Sequence, residues 1–398
     1  MAPTRAVLAL LLAIEITGHL MHGVDLLKEK RRFVILTEGN THPTPGKTAA
    51  GVVRYRGDEV VALIDSTQAG GDTEALLGVG KGIPIVASLE DALPLRPDTL
   101  VIGISPAGGQ LPPSWRAIIL QAIAHGLHVV AGLHVFLGDD PELAAHAQEQ
   151  GVAIVDLRRV PEDLTVNKCR AQELHCFRVH TVGTDCNIGK KIVALEITKA
   201  MQQQGLDAVF VATGQTGIMI SGRGMALDRV ISDFVAGAAE RLTLENADHR
   251  YLLIEGQGAL THPLYSGVTL SMLHGFAPQA LILCHEYGRT IMRGSRDTPV
   301  PSLSKAIVLY EAIAEPVFPT KVVGIALNLR VLSEAEARQE VERVEQETGL
   351  PTADVVKFGA NKLVEAILAY EQEWRLRHPR RATGAGSTSS SMDARRKP

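Results

Sequence analysis

The sequence predicts a two-domain α/β protein in which each domain is a parallel sheet covered by helices on both faces. Three observations carry that prediction. Short aliphatic runs alternate with helical stretches along most of the chain, the pattern of parallel strands joined by crossover helices. The chain has 398 residues, long enough for two or three domains. Only 4% of residues are aromatic while 45% are hydrophobic, so the core is built mainly from Ala, Val, Leu and Ile.

The elements follow in order. Arg5 and the apolar run 6–14 resemble a short secretory signal, but Glu15 breaks the run and no small-x-small cleavage site follows. The run is also far shorter than the roughly 20 residues that cross a bilayer. Residues 1–32 are read as an N-terminal extension without core patterning, with Met21 as an alternative start. The first strand is predicted over Phe33–Leu36. Further strands are predicted at 60–64, 83–88, 100–104, 129–132 and 152–156, and helices at 113–125 and 141–150. The stretch after Ala50 reads as strand. These elements make a first domain, 33–165. The polar stretch 160–173, with Pro161, reads as a linker. A second series then begins with a strand at 177–182, a helix at 190–204 and a strand at 208–212. A loop over 213–224, a helix at 227–241 and strands at 251–254, 280–284 and 322–327 come next. A solvated Glu/Arg-rich helix at 334–348, a strand at 355–358 and a helix at 362–375 complete a second domain, 166–376. Residues 377–398 are Gly-, Ser-, Thr- and Arg-rich and are predicted to be a disordered basic tail.

Charge and cysteine content narrow the function. The net charge is −4, yet seven Lys/Arg and a single Asp lie in residues 375–398, so the folded body is acidic. An acidic body with few aromatics excludes a nucleic-acid platform. Cys169, Cys176, Cys186 and Cys284 show neither a CxxC pair nor metal-ligand spacing. Reduced thiols in a cytoplasmic enzyme without a metal site are expected. The expected partner is a small molecule rather than a nucleic acid or membrane, and the protein is expected to form a homo-oligomer.

The chemistry-bearing segment is Gly183-Thr184-Asp185-Cys186-Asn187-Ile188-Gly189-Lys190-Lys191. A buried strand enters a Gly-bounded loop, and Gly189-Lys190 opens a helix. Backbone N–H groups of such a loop form an anion-binding concavity, and the helix N-terminus adds free donors and partial positive charge. Lys190 reaches forward to a phosphate. Two features depart from the common pattern: five residues, not four, separate Gly183 from the Gly-Lys pair, and Lys191 replaces the Ser/Thr that holds magnesium. A second match, Gly46-Lys47-Thr48, is read as a decoy. Pro43 and Pro45 remove two backbone donors that a phosphate cradle needs, although the segment still suits a substrate loop facing the domain boundary.

The phosphate loop resembles that of dethiobiotin synthetase. The wider pattern is more similar to the DgcN-type D-glutamate N-acetyltransferases, through "VGTDCNIGKK", "FVATGQTGIMISGRG", "DRVISDFVAGAAE", "LLIEGQGALTHP" and "VVGIALN". In the first domain, "GKTAAGVVRYRGDEVVALIDSTQAG" and "GIPIVASLEDAL" add to it. The resemblance spans about 33–370. It implies an N-terminal Rossmann-like domain before a P-loop, dethiobiotin synthetase-like domain, and acetyl transfer from acetyl-CoA to the amine of D-glutamate. Residues 183–191 would hold the cofactor. Dethiobiotin-type enzymes carry a lysine on the strand after the phosphate loop, whereas here that strand ends Ala212-Thr213-Gly214-Gln215. The alternative reading is an ATP- and magnesium-dependent kinase or ligase of that type, or a nucleotide-binding protein without turnover.

Other candidates lie at strand C-terminal ends. Glu255 is the first candidate for a general base, with Asp185 and His262 behind it. Gln215, Thr216 and Arg223 belong to a Gly-rich loop suited to ligand approach, with Asp233 on the following helix. Arginine grips carboxylates in bidentate fashion. Arg289 or Arg293 is therefore a candidate clamp for a glutamate carboxylate, with Arg223 and Arg54 as rivals. His262 and His285 read more readily as structural. Asn328 resembles the adenine-reading Asn of the dethiobiotin group and suits ATP and CoA alike. With Lys191 in place of Ser/Thr, magnesium is not expected.

Overall fold

The computed structural model describes residues 25–104 and 109–378. The expected signal-like run, the start at Met21 and the basic tail beyond 378 lie outside these residues. The chain builds two six-stranded sheets, and every strand pair in both is parallel. The first contains β1 (Phe33–Leu36), β2 (Val60–Ile64), β3 (Ile85–Val86), β4 (Thr99–Ile102), β5 (His128–Ala131) and β6 (Ile154–Asp156), in the order β3-β2-β1-β4-β5-β6. The second contains β7 (Phe177–Gly183), β8 (Ala208–Val211), β9 (Tyr251–Ile254), β10 (Ala280–Glu286), β11 (Lys321–Asn328) and β12 (Thr352–Ala353), in the order β12-β11-β10-β7-β9-β8.

The strand sequences explain the sheets. β1 (FVIL), β4 (TLVI) and β9 (YLLI) are apolar on both faces and fully buried, as strands covered by helices must be. Each sheet has aliphatic clusters on both faces. Strand order reverses beside β1 in the first sheet and beside β7 in the second, and ligands of open parallel sheets bind in the crevice beyond such reversal points. The loops that leave β1 and β7 are therefore the places to look for chemistry.

Five local expectations are corrected. The stretch after Ala50 is helix, Lys47–Arg56. Two Val residues and Tyr55 made it read as strand, but Val52 and Val53 pack inward among the helix-on-sheet contacts of the first core. The predicted loop 213–224 contains the helix Gln215–Ser221, whose end is a left-handed Gly222. The predicted helix at 227–241 is two 3₁₀ turns followed by Val235–Glu245. The predicted last strand at 355–358 is a turn in which Asp354 accepts from the backbone N–H of Val356 and Lys357, and the edge strand is Thr352–Ala353 instead. Finally, part of the extension belongs to the core. Leu27 is buried and packs beside the Gln215–Ser221 helix, and Arg56 donates to Glu29 O at 3.2 Å.

Candidate functional site

The phosphate loop is held from beneath. Tyr310 Oη donates to Gly183 O at 2.8 Å and accepts from Leu260 N at 3.0 Å, which fixes the end of β7. Thr184 N donates to Cys284 O at 3.1 Å, and Thr184 Oγ1 meets His285 Nδ1 at 2.9 Å. Asn187 and Gly189 adopt positive φ, 54° and 113°, so the loop turns sharply before the Lys190–Gln203 helix. Among the described residues, the backbone N–H groups of Asn187, Ile188, Gly189 and Lys190 have no hydrogen-bond partner. This is the donor array that an anion-binding loop requires. Lys190 is 5% exposed and its Nζ donates to Asp185 O at 2.7 Å, lying across the loop it encloses. Burial holds its pKa below the ordinary lysine value.

Asp185, read from sequence as cofactor-binding and catalytic, is a structural hub. Its carboxylate accepts from Arg289 Nη1 at 2.8 Å, Arg293 N at 3.0 Å and Cys186 N at 2.6 Å. Although burial opposes them, these donors keep its pKa below the usual carboxylate range. A carboxylate so occupied is a poor base. Arg289, the candidate carboxylate clamp, sits in the same network, pairing also with Glu286 and with Cys186 O. His262 is fully buried, accepts from Leu264 N at Nδ1 (3.1 Å) and faces Arg293 O with Nε2 (3.0 Å). In that pattern Nδ1 accepts and Nε2, which also lies 3.3 Å from Asp185 Oδ1, donates. Asp185, Cys186 and His262 bring potential metal-ligand atoms within 4.8 Å of one another. The Asp and His atoms are already engaged with protein partners, so the set serves as loop scaffolding. The Cys186 thiol is pushed up by burial and by Asp185, which opposes thiolate formation.

Glu255, one residue beyond β9, is 4% exposed. Its Oε2 accepts from Thr213 N at 2.9 Å and Gly214 N at 3.1 Å. Burial raises its pKa, countered in part by Lys191. Lys191 is half-buried, and burial pushes its pKa down to about 8 while Glu255 opposes that fall. Its ammonium lies against the first domain: a Cβ at Gly51 would sit 3.4 Å from Lys191 Nζ and 2.8 Å from Thr216 Cγ2. Gln215 and Thr216 also face this seam. Gln215 Nε2 donates to Thr48 Oγ1 at 2.7 Å, and Thr216 Oγ1 lies 3.3 Å from Thr48 Oγ1.

The remaining candidates separate. Arg223 is exposed at the far end of the Gln215–Ser221 helix, beside the N-terminal segment, and does not join the loop. Arg54 and Asp233 are exposed, and among the described residues neither side chain has a hydrogen-bond or ion-pair partner. Arg293 presents its backbone to Asp185 and an exposed side chain to solvent. Asn328 ends β11, paired in register with Glu286, and accepts from Arg330 N at 3.5 Å. The first domain supplies residues that sequence reasoning set aside. Lys47 Nζ donates to Asn187 Oδ1 at 3.4 Å, joining the loop after β1 to the phosphate loop. Arg158 donates to Gly132 O at 2.8 Å and pairs with Asp228, crossing the same seam. The Gly46-Lys47-Thr48 triplet was the signal for Lys47; nothing local marks Arg158.

Comparison with known proteins places this geometry. Models of the DUF1611 family match residues 66–160 as a Rossmann-like domain and 165–364 as a P-loop domain, both described as domains of unknown function. The chain belongs to the DUF1611 family. A crystal structure of a DUF1611 family protein from Anabaena variabilis superposes with a TM-score of 0.82 at 40% identity, covering 85% of this chain and 99% of that one. A relative from Tritonibacter scottomollicae named D-glutamate N-acetyltransferase is 40% identical over 326 residues, 81% of this chain and 94% of its own. One of the same name from a Pseudoalteromonas species is 39% identical over 278 residues, 70% and 83% respectively. Among the described residues of this DUF1611 chain, no helix is long and apolar enough to cross a membrane.

Proposed function

We propose that this chain transfers the acetyl group of acetyl-CoA to the amine of D-glutamate. The observation that carries the reading is the juxtaposition of an open phosphate loop, two lysines and a buried glutamate at one crevice. The names of two relatives at about 40% identity support the same reaction. The free N–H groups of residues 187–190, with Lys190 and Lys191, would hold the CoA pyrophosphate. Lys191 brings a charge where nucleotide hydrolases place a magnesium-binding hydroxyl, so a metal is not needed to neutralise the phosphates. The amine nitrogen attacks the thioester carbonyl, the C–N bond forms and the C–S bond breaks. Glu255, directly or through water, takes the proton lost from nitrogen, and the CoA thiolate leaves and is protonated. A base with a raised pKa suits an amine nucleophile near neutral pH.

The test mixes purified protein with acetyl-CoA and a panel of amino acids, follows free thiol and identifies the product by mass spectrometry. D-Glutamate should release thiol faster than L-glutamate, and both faster than D-alanine. A chelator should change nothing. Phosphate release from ATP without acetyl transfer to any acidic amino acid would overturn the reading in favour of a ligase or kinase.

A further inference from the structure

Directly after β9 the chain makes a turn, Glu255-Gly256-Gln257-Gly258, that three threonines hold in place. Thr213 Oγ1 donates to Glu255 O at 2.7 Å, Gly256 N donates to Thr181 Oγ1 at 3.0 Å, and Thr269 Oγ1 donates to Gln257 O at 2.7 Å. Gly258 completes the turn at a positive φ of 59°. The turn lies beside the phosphate loop, because a Cβ at Gly256 would stand 2.9 Å from Lys190 Cδ. Glu255 serves as the base of the proposed reaction, and Gln257 stands two residues beyond it.

The hydrogen bonds fix which way the Gln257 amide is turned. Thr213 has one hydroxyl proton and gives it to Glu255 O. The Gln257 atom that meets Thr213 Oγ1 at 3.1 Å must therefore donate, which makes it Nε2. An amide nitrogen carries two N–H groups, and among the described residues the second has no acceptor. The Glu255 carboxylate is divided in the same way. Its Oε2 accepts from Thr213 N and Gly214 N, and its Oε1 accepts from none of the described residues. One half of each group is anchored, and a donor on Gln257 and an acceptor on Glu255 are left over.

These two groups line one spot. Gly214 has no side chain, and a Cβ there would stand 2.5 Å from Gln257 Nε2 and 3.5 Å from Glu255 Oε1. The two atoms are therefore within about 6 Å of each other. Gly217 leaves room for the carboxylate itself, since a Cβ there would overlap Glu255 Oε2. Acyl transfer calls for this spacing. The oxyanion and the attacking nitrogen of a tetrahedral intermediate are bonded to the same carbon. The first needs a donor at roughly 2.7–3.1 Å and the second a base at roughly 2.6–3.2 Å. A donor and a base no more than about 6 Å apart meet both conditions around one carbon.

We propose that Gln257 is a catalytic residue of the acetyl transfer, whose free amide N–H donates to the thioester carbonyl oxygen as that oxygen takes up negative charge. This rests on the acetyl-transfer reading above. The amine lone pair forms the C–N bond while the carbonyl π pair moves onto oxygen, where Gln257 stabilises it. Glu255 Oε1 removes the proton from nitrogen. The carbonyl then re-forms, the C–S bond breaks, and the proton passes to the departing sulfur. An amide already held on Thr213 needs no reorientation during the reaction, which is what makes such a donor effective.

The test compares wild type with Gln257→Met, Gln257→Glu and Thr213→Val, using acetyl-CoA, D-glutamate and detection of free thiol. Gln257→Met keeps the length of the side chain and lacks the donor. Gln257→Glu keeps its shape and puts an acceptor there instead. Both should lower kcat by about 10²–10³, with Tm near wild type and the KM for acetyl-CoA and for D-glutamate within about threefold. Thr213→Val is the control for a bracing role. It removes two hydrogen bonds of the turn, to Glu255 O and from Gln257 Nε2, whereas Gln257→Met removes only the second. A brace therefore makes Thr213→Val the more damaging change, and an oxyanion donor makes it the less damaging. A kcat within about threefold of wild type in either Gln257 variant, or a loss no larger than in Thr213→Val, overturns the proposal. So does a loss confined to the KM for acetyl-CoA, which would assign the amide to cofactor binding. If wild type releases thiol with no acidic amino acid, the acetyl-transfer reading falls and the proposal with it. Turnover by wild type that Gln257→Met retains refutes the proposal alone.

Discussion

Gly46-Lys47 and Gly189-Lys190 both follow the strand at which their sheet reverses order, and both open a helix. Their backbones are arranged in opposite ways. At the first turn the N–H groups of Gly39, Asn40, Thr41, His42 and Gly46, ahead of the helix, fold back on the loop itself and on Asp65, and a Cβ at Gly46 would lie 2.9 Å from both Asn40 O and His42 O. At the second turn, Gly189 has φ 113° with nothing within 4 Å of a Cβ position, and four successive N–H groups are free among the described residues. The side chains are also reversed. Lys190 lies across its own loop, while Lys47 reaches out to the other domain. The Gly-Lys pair alone therefore does not define a phosphate site. The state of the preceding N–H groups separates the two turns, and the same pair on a closed loop becomes a means of presenting one charge to a neighbour.

The largest expected effect tests what stands behind the open turn. Glu255→Gln should lower kcat by about 10²–10⁴, the usual contribution of a general base. The amide oxygen can still accept from Thr213 and Gly214, so the fold and the KM for acetyl-CoA should persist. In wild type, activity should fall as pH drops through a value above the ordinary carboxylate range, because burial raises this carboxyl and only its ionised form accepts a proton. A kcat within about threefold of wild type in the Gln variant would transfer the base role elsewhere.

Next comes the contrast between the two lysines. Lys190→Ala should weaken CoA binding by about 2–3 kcal/mol, the scale of a lost charge-assisted contact, or roughly 30- to 150-fold. Lys47→Ala should leave CoA affinity near wild type. Titration calorimetry with CoA checks both, and equal losses would erase the distinction between an open and a closed turn.

How much of this was legible follows from which signals are local. The strands were legible because parallel strands buried on both faces are continuous aliphatic runs. The phosphate loop was legible because its glycines sit at fixed spacing beside a strand and a helix. The Lys47–Arg56 helix was not, because Val52, Val53 and Tyr55 favour a strand by propensity and only packing against the sheet selects the helix. The ion pairs of Arg289 were not legible, because sequence gives no account of which carboxylates, here Asp185 and Glu286, an arginine will meet. The contacts across the seam, Thr48 with Gln215 and Arg158 with Asp228, join residues 167 and 70 positions apart. No local pattern encodes such pairs.

A smaller effect separates Lys191 from a solvated lysine. With its pKa pushed down to about 8, Lys191 is charged below that pH and neutral above it. CoA affinity should therefore fall as pH rises through about 8, by up to about tenfold, until the bound phosphate itself raises the lysine pKa. The stability of the free protein should move the other way. Between about 8 and the ordinary lysine value of 10.5 the folded state binds fewer protons than the unfolded state, so stability rises with pH across that window. Lys191→Met should flatten both curves. Parallel rather than opposed trends in wild type would show that Lys191 does not hold the cofactor.

The smallest expected effect asks whether closure of the first turn is structural alone. At Gly46, φ is −84°, so alanine is allowed by its backbone but its Cβ would press on two carbonyl oxygens that belong to the loop. Gly46→Ala should cost on the order of 1–3 kcal/mol of stability as the loop shifts, lowering Tm without changing CoA affinity. At Gly189, alanine meets no atoms but must adopt a positive φ, at a cost of about 1–2 kcal/mol. If the chain relieves that strain by rotating the 188–190 peptides, the free N–H groups turn away and CoA affinity falls with little further change in Tm. Melting curves with and without CoA distinguish the cases: the CoA-induced rise in Tm should survive in Gly46→Ala and shrink in Gly189→Ala. A rise lost equally in both would mean that the closed turn, too, contacts the cofactor, and the division of labour between the two Gly-Lys pairs would have to be withdrawn.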